Sequence, residues 1–342
     1  MKNSKKKERI FELFSQNLEW VKEHKEIQFV PDFSNGYICP LCFAPFFRED
    51  LDSTRPNPLT LEDIPPVSLG GKAMALTCKK CNSRSGHELD AHLLNMLLED
   101  DSKQMRPNSS ARATFEIDGT KVGGDFKVNA DGTAVMNIDP KRTNPHNSKR
   151  FAEKITPTSE DFYKHVFESD KYGVEWTSPN FTFKVNRNYK ERRSRIAVLR
   201  IAYLIAFAKF GNGFLVNGGL YKVREQLLHP DKNILGEVFW LNHKFPEEML
   251  GLNIVRIPKE LQCYLVIFNL KTNSTTTQFA VMLPGPSAPS TSIYKFYEEN
   301  LCVDRLGKTA NIVVEHIAER EFLKIKEYAF ASHIFWQRFT DL

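Results

Sequence analysis

The sequence predicts an α+β protein of two parts, a small metal-bound N-terminal module and a larger α+β domain with an antiparallel sheet and a long buried helix. Three observations predict this fold. Two Cys-x-x-Cys pairs, Cys39/Cys42 and Cys78/Cys81, bracket a short segment. Farther along, apolar and polar residues alternate on either side of Asp-Gly pairs, a pattern typical of antiparallel hairpins. The stretch from Ile196 to Phe207 is apolar on nearly every face, so a buried helix is expected there.

The composition is ordinary for a globular protein. Its 47 Lys and Arg against 42 Asp and Glu give a net charge of +5, an excess that permits nucleic-acid binding without predicting it. No apolar run reaches the roughly 18 residues of a membrane span, and the lysine-rich start precedes an amphipathic stretch rather than a signal peptide. A cytoplasmic protein without membrane contact is therefore expected. In that compartment Cys263 and Cys302 are predicted to be buried free thiols.

The first predicted element, within residues 1–35, is an amphipathic helix. Five basic residues lie within positions 2–9. The apolar positions that follow have helical spacing: Ile10, Phe11, Phe14, Leu18 and Val21. The basic start is either an arm that binds a phosphate backbone or the solvated end of a helix that packs on the next module, and the second interpretation is the simpler one.

Residues 36–105 are predicted to form a zinc module. Each two-residue spacer brings a pair of sulfurs to one side of a tight turn, and four thiolates complete the tetrahedral site that structural zinc prefers. We therefore expect one structural Zn²⁺, bound by Cys39, Cys42, Cys78 and Cys81.

The segment between the cysteine pairs contains an ordered set of motifs. In chain order they are the strand Leu59–Leu61, the carboxylates Glu62 and Asp63, the prolines Pro65 and Pro66, the turn Gly70-Gly71, the strand Ala73–Thr77, and Asn82 at the start of a helix that runs through Leu98. Because proline cannot continue a strand, the first strand ends at the two carboxylates. Both carboxylates are expected to face one cation there.

This order of motifs resembles the core of the HNH endonucleases, the ββα-metal, treble-clef family, over roughly residues 36–100. The resemblance implies that Glu62 and Asn82 bind a catalytic Mg²⁺ or Mn²⁺. Two positions depart from the family pattern. Asp63 stands where the family has the His that accepts a proton from the attacking water, and Ala73 falls near the place of an orienting Asn. Asp63 is then expected to join the metal site and to orient or deprotonate the water.

Other residues of this segment complete the predicted site. His87 lies about a turn and a half beyond Asn82 on the predicted helix. It is a candidate substitute base or extra metal ligand, or else a surface residue of that helix. Four basic side chains are expected to bind the phosphates of a substrate: Lys72, Lys79, Lys80 and Arg84.

Residues 106–342 are predicted to form an α+β domain of unknown role. The expected elements are a three-stranded meander (114–117, 120–128 and 133–138), a basic loop (141–150), a short helix (159–168), a strand (180–185), a long helix (189–210), a helix (220–228), four strands (237–241, 254–257, 263–270 and 275–283), a helix (292–299), a strand (311–314) and a final helix (319–339).

The start of the long helix is rich in arginine. Arg187, Arg192 and Arg193 belong to this group, which is either a phosphate-binding patch or a charged end that pairs with acidic neighbours. Its second half is apolar except for Arg200.

The leading functional prediction is a metal-dependent endonuclease that hydrolyses phosphodiester bonds with Mg²⁺ or Mn²⁺. DNA is the expected substrate, with RNA as the second choice, and the larger domain would recognise substrate, a partner protein or a signal. Proteins of this kind are often bacterial restriction or anti-phage defence effectors, which the resemblance implies. The alternative is a catalytically inactive HNH-derived zinc module in a nucleic-acid-binding or regulatory protein. In that case Asp63 marks a lost or silenced base.

Overall fold

A computed structural model describes residues 2–30, 32–139, 141, 143–155, 181–185, 187–236, 240–241, 244–286, 292–301, 311–318 and 321–337. The chain forms two compact units. Unit 1 comprises Met1–Leu94, Tyr189–Thr272 and Thr276–Leu342, and unit 2 comprises Asn95–Asn188 and Asn273–Thr275. The predicted helix at 159–168 and Cys302 lie outside the described residues.

The N-terminal part of the chain is a helix followed by two antiparallel hairpins and a second helical segment. The elements are α1 (Lys2–Lys22), β1 (Tyr37–Ile38) paired with β2 (Pro45–Phe46), β3 (Leu59–Ile64) paired with β4 (Lys72–Cys78), α2 (Lys79–Ser85), a π turn (Gly86–Asp90) and α3 (Ala91–Lys103). The amphipathic α1 is confirmed, because Phe11, Phe14, Leu18 and Val21 are all buried. The second helix starts earlier than predicted, since Cys78 caps it and its Sγ accepts from the Cys81 amide.

The turn between β3 and β4 requires both of its glycines. Gly70 has a φ of +87°, in the left-handed region that side chains disfavour. A Cβ added to Gly71 would lie 1.5 Å from the carbonyl oxygen of Pro65. The predicted Gly70-Gly71 turn is therefore confirmed, and steric constraints explain why both positions require glycine.

Gly71→Ala is expected to destabilise the protein by about 2 kcal/mol or more, because the backbone at Pro65 must move to admit the methyl group. Urea denaturation measures the loss. Gly86→Ala is the matched control, since a Cβ there meets nothing within 4 Å and alanine is the better helix former. Equal stability of the two variants would contradict the steric argument.

Unit 2 is built on a four-stranded antiparallel sheet with the order β7-β6-β5-β8. Its elements are β5 (Ser110–Ile117), β6 (Thr120–Val128), β7 (Ala134–Ile138), α4 (Pro145–Ile155) and β8 (Phe181–Val185). The predicted meander is confirmed, and one face of the sheet forms a core around Phe115, Phe126 and Phe151. The predicted basic loop at 141–150 is wrong, because a helix begins at Pro145. Proline is favoured at a first helical position, and Asn144 Oδ1 accepts from the His146 amide at 2.9 Å.

The C-terminal part of unit 1 combines helices with a five-stranded antiparallel sheet of order β13-β10-β11-β12-β9. The elements are α5 (Glu191–Phe210), α6 (Asn212–Leu215), α7 (Tyr221–Leu228), β9 (Trp240–Leu241), β10 (Gly251–Ile257), β11 (Cys263–Lys271), β12 (Thr276–Pro284), α8 (Ser292–Leu301), β13 (Val313–His316) and α9 (Ala331–Gln337). The long helix α5 is buried along its second half, as predicted. None of the described helices is both long and apolar enough to cross a lipid bilayer.

The predicted final helix at 319–339 is wrong in its described part. Two 3₁₀ turns, Phe322–Lys324 and Lys326–Tyr328, precede the short α9. Phe322 stacks on Phe210 of α5, whereas Trp336 packs against Tyr264 of β11. Phe322 and Trp336 pack against different elements, and this packing replaces the single helix that the spacing of the aromatic residues predicts.

Candidate metal centre and the adjoining hairpin

The four predicted zinc ligands lie together in unit 1. The sulfurs of Cys39, Cys42, Cys78 and Cys81 are all within 4.8 Å of one another. The first pair lies in the β1–β2 hairpin, and the second joins the end of β4 to the start of α2. Among the described His, Cys, Asp and Glu residues, this is the only group of three or more whose ligand atoms gather closely enough to bind one ion.

The spacing of the sulfurs fits zinc. A tetrahedral site with Zn–S bonds of about 2.3 Å has S···S edges of about 3.8 Å, and the Cys42 and Cys78 sulfurs are 3.9 Å apart. Backbone amides also point at the sulfurs, from Cys78 to Cys39 Sγ at 3.5 Å and from Cys81 to Cys78 Sγ at 3.4 Å. Such amides stabilise thiolates, which are the form that binds metal.

The thiols also influence one another's protonation. Hydrogen bonding with Cys39 lowers the pKa of Cys42 to about 7 and lowers the pKa of Cys78, whereas hydrogen bonding with Cys42 raises the pKa of Cys39. The sulfurs lie close enough together to bind one cation. The cluster is therefore compatible with a metal-bound, treble-clef-like module.

Two buried tyrosines fix the first cysteine hairpin in place. The Tyr37 hydroxyl donates to the Leu76 carbonyl oxygen at 2.7 Å and accepts from the Leu76 amide at 3.1 Å. The Tyr203 hydroxyl of α5 donates to the Pro40 carbonyl oxygen at 2.9 Å. The long helix thus packs directly on the zinc module. The predicted division lies at residue 105, whereas residues 36–94 of the module share unit 1 with α5 and residues 95–105 belong to unit 2.

A buried charge triad lies behind the β3–β4 hairpin. Arg200 of α5 donates to Glu62 Oε1 through Nη1 at 2.8 Å and Nη2 at 3.0 Å, and to Asp90 Oδ2 at 2.9 Å. The Thr77 hydroxyl donates to the other oxygen of Glu62 at 2.5 Å. The side chains of Glu62 and Arg200 are each only 2% exposed. Both oxygens of the predicted metal ligand Glu62 are therefore engaged within the protein.

Burial and Arg200 have opposite effects on the two carboxyl groups. Burial raises the pKa of Glu62, and the charge of Arg200 acts against that rise. Burial likewise raises the pKa of Asp90, again opposed by Arg200. The guanidinium supplies the positive charge that opposes the effect of burial on both carboxyl groups.

The other predicted catalytic residues form no hydrogen bond with this triad within the described residues. Asn82 Nδ2 donates to Thr60 Oγ1 at 2.9 Å and to the Leu61 carbonyl oxygen at 3.1 Å, so the amide fastens α2 to β3. A register irregularity separates Glu62 from Asp63 in the β3–β4 pairing. Asp63 is half-buried, and its side chain makes no hydrogen bond or ion pair within the described residues. His87 is exposed on the π turn.

The predicted phosphate-binding residues of the module divide into two groups. Lys72, Lys79 and Lys80 are exposed, and within the part of the chain that the structure describes their side chains have no partner. Arg84 instead forms an ion pair with Glu88 at 2.9 Å and donates to the Leu228 carbonyl oxygen at 2.8 Å. Lys79 and Lys80 therefore lie beside the second cysteine pair and remain available to a ligand, whereas Lys72 lies at the opposite end of β4 from Cys78.

The arginines before and at the start of α5 have structural partners. Arg192 donates to the Pro230 carbonyl oxygen at 3.1 Å, and Arg193 forms two hydrogen bonds with Asp231, at 3.0 and 2.6 Å. Arg187 donates to the Ser110 carbonyl oxygen. The interpretation as a charged end with neighbouring partners describes Arg192 and Arg193 better than a free phosphate-binding patch.

Sequence reasoning missed the pairing of Arg200 with Glu62 and Asp90. The available signal was a lone arginine in an otherwise apolar helix, since a buried arginine needs a carboxylate partner.

Comparison with family models, with curated proteins and with solved structures finds no match to this chain.

Proposed function

We propose that this chain is a nucleic-acid-binding protein, built on a zinc-stabilised module that does not carry out metal-dependent hydrolysis. The observation that supports this most directly is the guanidinium of Arg200, which binds Glu62 and Asp90 together. The guanidinium of Arg200 thus occupies the position beside Glu62 where the endonuclease hypothesis requires Mg²⁺ or Mn²⁺.

A divalent ion would have to displace this arrangement. Mg²⁺ requires near-octahedral oxygen ligands and retains several waters, whereas Glu62 is 2% exposed and both of its oxygens accept hydrogen bonds. Breaking a buried ion pair by removing one partner costs about 3–5 kcal/mol. Metal binding at Glu62 would have to offset a cost of this order.

The case for nucleic acid rests on charge near the cysteine cluster. Lys79 and Lys80 lie between the second pair of cysteines. Lys80 and Arg84 also line a cavity of about 360 Å³ beside the cluster. Exposed lysines bind phosphate backbones by releasing counterions, without dependence on base sequence. A net charge of +5 is consistent with such binding.

Lys79→Glu/Lys80→Glu is expected to weaken binding to a fluorescent DNA duplex at least tenfold, measured by anisotropy across a salt series. The salt slope should fall by about 1.8, because each lost phosphate contact removes about 0.9. Lys25→Glu/Lys259→Glu is the control, since it changes the net charge equally at two other exposed lysines of unit 1. Zinc content is measured for both proteins, because Lys79 and Lys80 adjoin ligands.

The same duplex tests the endonuclease hypothesis when it is incubated with Mg²⁺, Mn²⁺ or EDTA. We expect no cleavage under any of the three conditions. Metal-dependent cleavage that Glu62→Ala and Asp63→Ala both abolish would overturn the proposal in favour of an endonuclease. Binding that the Lys79/Lys80 variant and the control weaken equally would remove the assigned surface.

A further inference from the structure

A second basic surface lies wholly within unit 2, at a cavity of about 580 Å³ on the β5–β6–β7 sheet. Its lining residues are Asn95, Ser110, Ala111, Arg112, Asp125, Phe126, Lys127, Asn137, Arg187 and Asn188. We call this surface the sheet cleft. The polar residues outnumber the apolar ones, so the cleft suits a polar or charged ligand rather than a lipid or an apolar peptide.

Two cations of the sheet cleft face solvent without partners. Arg112 on β5 and Lys127 on β6 are exposed, whereas their neighbours Ala113 and Phe126 are buried in the core. Successive side chains of a strand point to opposite faces, so both cations lie on the face away from the core. Neither forms an ion pair or a side-chain hydrogen bond with any residue that the structure describes.

Arg187 supplies a third cation that the fold holds in place. One guanidinium nitrogen donates to the Ser110 carbonyl oxygen. Its Nε is buried and has no hydrogen-bond partner among the described residues. A buried donor without a partner is costly, and a ligand oxygen in the cleft would satisfy it.

The remaining polar groups add hydrogen-bonding capacity and one opposing charge. Asn95, Asn137 and Asn188 line the cleft, and Asn95 Nδ2 lies 3.4 Å from the Asn188 carbonyl oxygen. Asp125 lies opposite Arg112 on one side and Asn137 on the other. Among the lining residues three cations stand against this one carboxylate, and Glu99 and Asp101 add negative charge close to Arg187.

We infer that the sheet cleft binds the sugar-phosphate backbone of a single-stranded nucleic acid, as a second contact surface of the protein. The inference rests on the proposed nucleic-acid binding. Phosphodiester oxygens match Arg112, Lys127 and the free donor of Arg187, and amide side chains donate to and accept from sugars and bases. The cavity has the volume of a small-ligand pocket, so it admits a nucleotide of a single strand.

The test uses the full chain and a fluorescent twelve-nucleotide poly-dT strand in a salt series. Arg112→Gln/Lys127→Gln is expected to weaken binding about tenfold and to lower the salt slope by about 1.4, since each contact with a single strand contributes about 0.7. Asp125→Asn removes the opposing charge and is expected to tighten binding about threefold. Lys121→Gln/Lys149→Gln is the charge-matched control on exposed lysines of the same unit, and thermal melting checks that every variant is folded.

The outcomes separate this inference from the proposed function. If Lys79→Glu/Lys80→Glu weakens binding to the strand while the Arg112/Lys127 and Asp125 variants bind as the parent does, the sheet cleft is not a contact surface and the proposed function stands. If the Arg112/Lys127 variant loses binding and the Lys79/Lys80 variant does not, the sheet cleft is supported and the surface proposed beside the cysteine cluster is removed. A parent that binds neither strand nor duplex overturns both. Displacement of the strand by thymidine monophosphate at a similar concentration would assign the cleft to free phosphate esters and overturn the strand assignment.

Discussion

Cys78→Ser is expected to release the metal and to unfold the zinc module. Cys78 contributes its sulfur to the cluster and also caps α2, with its Sγ accepting from the Cys81 amide. Structural zinc sites contribute apparent binding free energies of about 10–16 kcal/mol, which is comparable with the whole stability of a typical domain. Loss of one thiolate should therefore remove most of the support for residues 36–100.

Metal analysis of the purified protein should find about one zinc per chain in the parent and almost none in the variant. Hydrogen exchange should show loss of protection first in residues 36–100. Cys263→Ser is the matched control, because Cys263 is a fully buried thiol of β11 outside the cluster, and it should retain its zinc. A full zinc complement in Cys78→Ser would contradict the Cys₄ assignment.

Arg200→Met is expected to destabilise the folded state by about 3–5 kcal/mol, because it leaves Glu62 and Asp90 without their shared cation. Urea denaturation measures the change. Arg195→Met is the control on the same helix. Its ion pair with Glu191 is partly exposed, and exposed pairs contribute about 0–1 kcal/mol. The double variant Glu62→Gln/Arg200→Met should be more stable than Arg200→Met alone, since one of the two uncompensated charges is removed.

The effect of Arg200→Met should also depend on pH. Burial raises the pKa of Glu62 and of Asp90, and removal of Arg200 takes away the largest opposing effect at both, so that only the Thr77 hydrogen bond still lowers the pKa of Glu62. The folded variant would then bind protons more tightly than the unfolded chain, whose carboxyl pKa values are about 4. Stability of the variant falls as pH rises through the folded pKa values. The deficit relative to the parent should be smaller at pH 5 than at pH 8, and a deficit independent of pH would contradict the role of Arg200 as counterion.

Sequence reasoning correctly predicted the features that depend on residues close together in the sequence. The cysteine pairs, the Gly70-Gly71 turn and the Asp-Gly hairpins each depend on a few consecutive positions. The four cysteines were grouped correctly because the chemistry of zinc links two local motifs that are otherwise far apart. Helix α4 was missed because proline and asparagine signal both loops and helix starts, and the buried Phe151 that anchors it had no obvious partner in the sequence.

Long-range partners explain what sequence reasoning missed. Glu62 and Arg200 are 138 residues apart, and no local pattern indicates that one meets the other. The same separation explains why no local pattern links α5 to the first cysteine hairpin, although Tyr203 of α5 donates to the Pro40 carbonyl oxygen of that hairpin. Asp63 shows that a local motif can also suggest a role that distant contacts do not support. Its position in the motif suggests catalysis, whereas the burial and pairing of its neighbour Glu62 come from a helix that the motif does not contain.

The separation of Glu62 and Arg200 along the chain also determines how long Glu62 remains without its partner during translation. A ribosome that adds roughly 5–20 residues per second needs about 7–28 s to extend the chain from one partner to the other. During that interval the hairpin has emerged without its counterion, and the surface that α5 later covers faces water and other nascent chains. The ion pair of Glu62 therefore forms only after Arg200 has been translated, and a message truncated between the two codons would yield a polypeptide whose Glu62 has no counterion.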